Sequence, residues 1–63
     1  MKYKVLVRFW GDISYTRWLV DNVEERNQII EELANDNAIT SLKYCKVYRN
    51  GKEENRYTVI KGY

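Results

Sequence analysis

The chain has 63 residues, of which eleven are Lys or Arg and nine are Asp or Glu, giving a formal net charge of +2. That length leaves room for one domain and one small core, which buries only about 60% of the surface the unfolded chain exposes. With no histidine and a single cysteine, Cys45, the sequence offers neither an intramolecular disulfide nor the usual ligands of a structural zinc site, and no apolar run approaches the ~20 residues of a membrane-spanning helix.

A lone cysteine suits a reducing, cytoplasmic setting. The short apolar run after Met1-Lys2-Tyr3-Lys4, broken by Arg8, is too brief for a secretory leader. Six Tyr, two Trp and one Phe bring large buried area per residue to a small core. The absence of Pro and the abundance of Asn, Lys, Ile, Glu and Tyr match AT-rich coding sequences, such as those of low-GC bacteria and their phages.

Residues 2–10 alternate, with Tyr3, Val5, Val7 and Phe9 on one face and Lys2, Lys4, Leu6, Arg8 and Trp10 on the other, which predicts a strand. Gly11-Asp12 reads as a two-residue type II′ turn leading into a second strand from Ile13 to Val20. The implied register sets Trp10 against Ile13, Phe9 against Ser14, Val7 against Thr16, Val5 against Trp18 and Tyr3 against Val20. Trp18 and Val20 then join the apolar face. Because the side-chain period is two, a slip of one residue would bury the charges.

Asp21-Asn22-Val23-Glu24 has the spacing of a capping box with Asp21 as N-cap, and Asn22 with Glu25 serves one residue later. The helix should run to Ala34 or Asn35, with Val23, Asn27, Ile30, Leu33 and Ala34 inward and Ile29 on the flank. Asn35-Asp36-Asn37 predicts a left-handed stop. A third strand, Ile39 to Arg49, then reaches Asn50-Gly51, the signature of a type I′ hairpin turn. A fourth strand should run from Lys52 towards Tyr63. That turn pairs Tyr44 with Tyr57, Leu42 with Val59 and Tyr48 with Glu53 on the core face. It pairs Cys45 with Arg56, Val47 with Glu54, Lys43 with Thr58 and Ser41 with Ile60 on the other.

The predicted class is α+β: a single ββαββ domain over residues 1–63, with a four-stranded, mostly antiparallel sheet carrying one helix on one face. A right-handed crossover through the helix gives the strand order 2-1-3-4.

Charge divides by segment. Residues 1–20 carry Lys2, Lys4, Arg8 and Arg17 against Asp12, residues 21–36 carry six acids against Arg26, and residues 37–63 carry six bases against Glu53 and Glu54. The helix back is acidic and the sheet basic, so an anionic partner would be drawn to the sheet. Its outer face is expected to gather Lys4, Arg8, Arg17, Lys43 and Arg56 with Leu6, Trp10, Ile13, Tyr15 and Leu19. Such a face reads three ways: an ordinary solvated surface, a protein-binding or self-association surface, or a platform for single-stranded nucleic acid. One helix cannot cover both faces of four strands, and the apolar members of the set favour association.

Chemistry is not expected. Glu24-Glu25, Glu31-Glu32 and Glu53-Glu54 are neighbours without a cleft, and no histidine activates Ser14, Thr16, Ser41 or Thr58. Cys45, although set opposite Arg56, has no base or second thiol. The three glycines form no phosphate loop. The expected function is therefore a small non-catalytic binding protein, without cofactor or metal, that sequesters a host macromolecule, a protein first of all, through this basic, aromatic sheet face, as phage and mobile-element inhibitors do. It is expected to be a homodimer away from membranes. A nucleic-acid or nucleotide binder is the first alternative, and a structural homo-oligomer the second.

Overall fold

In the computed structural model, which describes residues 2–62, the elements follow in the order β1 (Lys2–Phe9), β2 (Thr16–Val20), α1 (Val23–Ala34), β3 (Ile39–Val47) and β4 (Thr58–Lys61). All strand pairs are antiparallel and the sheet order is β2-β1-β3-β4. Both the α+β class and the expected order are met. The fourth strand's predicted extension to Tyr63 lies outside the described residues.

The first hairpin holds the expected register, with Tyr3 opposite Val20, Val5 opposite Trp18 and Val7 opposite Thr16. Its turn differs. The Asp12 N–H donates to the Phe9 carbonyl at 3.0 Å, which places Gly11 third in a four-residue turn, where its φ of +88° is needed. Residues 10–15 leave the ladder, and Trp10 donates its N–H to Ala38 O at 2.6 Å instead of pairing with Ile13.

On the inner face β1 contributes Tyr3, Val5 and Val7, and β3 contributes Leu42 opposite Val7 and Tyr44 opposite Val5. With Val20 and Ile39 they make the core, against which Phe9, Ile29, Ile30, Leu33 and Ala34 pack. The helix begins at Asn22, whose side chain accepts the Glu25 N–H at 2.7 Å, so the later of the two capping frames is the one used. Its inward stripe also differs from expectation. Val23 and Asn27 are exposed, while Arg26 turns in, its guanidinium 4.6 Å from the Tyr3 ring centre and 4.4 Å from that of Tyr44. Asn27 Oδ1 holds the guanidinium from the side, accepting from its Nη2 at 2.8 Å. A cation between two phenol rings thus takes the inward side that Asn27 was expected to face.

The predicted left-handed stop is absent: Asn35 is right-handed (φ −90°), and the described residues with positive φ are all glycines. Asp36 ends the helix instead. Its N–H donates to Leu33 O, its carboxylate accepts the Ala38 N–H at 2.9 Å, and its carbonyl accepts from the Lys61 ammonium at 3.0 Å.

The second hairpin departs most from expectation. Gly51 donates to Tyr48 O at 2.9 Å, Tyr48 donates to Lys52 O at 2.8 Å, and only Gly51 (φ +83°) is left-handed. This is a three-residue loop with the left-handed residue last, not a two-residue type I′ turn, which would need positive φ at Asn50 as well. Val47 therefore faces Glu53. Glu54 still donates its N–H to Lys46 O at 2.9 Å; residues 55–57 then leave the ladder, and β4 resumes with Tyr44 opposite Thr58, Lys43 opposite Val59 and Leu42 opposite Lys61. None of the seven pairs expected from a tight turn forms, and Tyr57 moves to the outer face.

Candidate interaction surface

The outer face of the two central strands presents Lys4, Leu6 and Arg8 from β1, opposite Cys45, Lys43 and Ser41 from β3. Two tyrosines from outside the regular strands lie over it. Tyr15, from the end of the β1–β2 loop, sets its hydroxyl 3.0 Å from Ser41 Oγ. Its ring centre is 5.6 Å from the Arg8 guanidinium and 4.8 Å from the Lys43 ammonium. Tyr57, from the irregular segment before β4, lies 4.8 Å from the same Lys43 ammonium and 5.3 Å from that of Lys4. Lys4 Nζ in turn donates to Glu53 Oε1 at 2.6 Å. The result is a continuous row, Arg8–Tyr15–Lys43–Tyr57–Lys4–Glu53, in which cations alternate with phenol rings and an acid closes one end.

The electrostatics follow from this row. Lys4 is buried, yet its hydrogen bond to Glu53, and secondly its interaction with Tyr57, hold its pKa above 10.5. The Tyr15 hydroxyl is pulled below 10.0, first by the bond with Ser41 and then by the nearby Lys43 and Arg8 charges. Cys45 is fully buried beside Lys4, and burial pushes its thiol above 9.0. The expected pairing with Arg56 is not made. Arg56 stands exposed in the 55–57 segment, on the wall of an open concavity of about 530 Å³ that also takes in Tyr48, Lys52, Glu53 and Glu54. Two bases and two acids on that wall give it no preference for either sign of ligand.

The predicted surface residues thus separate into four groups. Lys4, Arg8, Tyr15 and Lys43 come together in the row, with Leu6 half-buried beside them. Trp10 (79% exposed) and Ile13 (98% exposed) stand at the tip of the first hairpin, and Arg17 and Leu19 (56% exposed) lie on β2. Arg56 is on the second hairpin. Tyr15 lies back over Ser41, so the apolar members do not form one patch along the hairpin. Two residues were missed. Tyr57 was assigned to the core, and only the unpaired residues at 55–57 could have moved it. Trp18 was expected beneath the helix, but α1 packs across β1, β3 and β4 and leaves it 37% exposed.

No helix among the described residues is long and apolar enough to cross a membrane. No protein-family model, characterised protein or solved structure matches this chain.

Proposed function

We propose that this chain is a non-catalytic binding module that captures a host protein through the tip of its first hairpin. The observation that carries this reading is the near-complete exposure of Trp10 and Ile13 on a projecting turn. Large apolar side chains held in water by a structured turn are the residue type that anchors protein interfaces. Arg17 and Leu19 lie further along β2, opposite Leu6 and Lys4 and away from the tip, and Arg56 stands exposed on the second hairpin. A reducing cytoplasmic setting goes with this reading, since Cys45 is a buried, unpaired thiol. Sequestration, in the manner of small phage and mobile-element inhibitors, fits a chain with an exposed apolar anchor.

The nucleic-acid alternative draws less support. Stacking of bases needs open aromatic faces, and Tyr15 and Tyr57 already lie between cations of their own chain. The test is binding measured at about 50 mM and 500 mM salt, a range over which counterion release weakens nucleic-acid complexes by orders of magnitude. We expect a protein complex that persists across this range and is lost with Trp10→Ala/Ile13→Ala while Arg56→Glu retains it. An electrophoretic shift of single-stranded RNA or DNA that collapses at the higher salt would overturn the assignment.

A further inference from the structure

The sheet has two free edges, and they differ. At the β4 edge the strand is four residues long, its register slips between Leu42 and Lys43, and the irregular 55–57 segment interrupts it. Slips and short strands of this kind blunt an edge against further pairing. The β2 edge, Thr16–Val20, keeps one register throughout, carries a single charge at Arg17, and has every residue but Val20 exposed.

Backbone alternation shows which groups that edge offers. Glu54 donates its N–H to Lys46 O on the β4 side of β3, so the odd-numbered residues from Ser41 to Val47 turn their backbone groups towards β1; their partners, the even-numbered residues of β1 from Lys2 to Arg8, face β3, and the odd-numbered ones face β2. Tyr3–Val20, Val5–Trp18 and Val7–Thr16 are therefore the hydrogen-bonded pairs of the first hairpin. Arg17 and Leu19, between them, direct their N–H and C=O groups away from the sheet.

We propose that two copies of this chain join antiparallel through these β2 edges, with the two-fold axis at Leu19, to form one continuous eight-stranded sheet. Charge selects the register. An axis at Leu19 sets Arg17 opposite Asp21 of the second copy on the outer face, twice by symmetry, and sets Leu19 against Leu19. On the inner face it sets the half-exposed Trp18 against Val20. An axis at Arg17 would oppose two like charges, and one at Trp18 would place Arg17 against Leu19. Asp21 is available for the pairing: its ion pair with Lys2 spans 3.8 Å between two well-exposed side chains, and Asn22 rather than Asp21 caps the helix. The chain also has reason to associate, since its helix has no fully buried residue and its apolar core is small.

This dimer does not depend on the hairpin-tip reading, because it uses neither Trp10 nor Ile13. The experiment is sedimentation equilibrium on the purified chain from about 10 µM to 1 mM, a span suited to an interface at the small end of the size range. Wild type, Arg17→Asp, Asp21→Arg and the double charge swap are compared, with circular dichroism to show that each is folded. We expect a reversible dimer, weakened about tenfold or more by either single reversal, which alters two symmetric contacts, and restored by the double swap. A wild-type chain that stays monomeric throughout would overturn the proposal. So would a dimer indifferent to both single reversals, or single reversals that the swap does not rescue.

Discussion

Lys4 was expected as a free cation on an open face. It lies buried instead, its ammonium against Glu53 at 2.6 Å and over the ring of Tyr57. Replacing it with Met keeps the shape of the stem and removes the charge, leaving Glu53 with access to solvent. The expected loss is about 1–2 kcal/mol at neutral pH, the range for a charge-assisted hydrogen bond that is partly screened. Because the folded state raises the Lys4 pKa above 10.5, this contribution is fully present below that pH and fades as pH rises through the folded-state value. Urea unfolding of wild type and Lys4→Met should therefore differ at pH 7, and the difference should shrink as the pH is raised above 10.5. Equal stability at pH 7 would mean that the pair only offsets its own desolvation.

At the scale of elements, the caps and turns decide how much was legible. The first hairpin could be read because alternation over eight residues, apolar against charged, admits one register whatever the turn does. The second could not. Asn50-Gly51 suits two turn types, and they differ by one residue in the register they impose. With charged and apolar residues mixed on both faces of Lys52 to Ile60, no burial pattern chose between them. Arg26 illustrates a different limit: a periodicity that counts only apolar residues passes over a cation that packs between two tyrosines. The helix start was legible to within one residue, and the two frames can be separated directly. Asn22→Ala should cost about 1 kcal/mol, the usual value of an N-cap, whereas Asp21→Ala should cost a few tenths at most, since its pair with Lys2 is exposed. Thermal unfolding at low micromolar concentration reads both. A larger loss from Asp21→Ala would return the cap to the earlier frame.

At the scale of the molecule, the described residues form a slab 34 by 23 by 15 Å, one sheet with α1 on one side and two tyrosine rings on the other. The candidate surface was legible as a set of residue types and not as a place. Its cations and Tyr15 are drawn into a row that serves the chain's own packing, through loop conformations that strand periodicity does not encode. Trp10 and Ile13 remain outside that row, and on them the proposed capture of a host protein rests. A photoreactive phenylalanine analogue placed at position 13, and separately at position 56, tests this most directly in cells of the source organism. Position 13 should crosslink to a protein other than a second copy of the chain, and position 56 should not. Crosslinking from position 56 alone, or from position 13 to nucleic acid, would contradict the proposed capture.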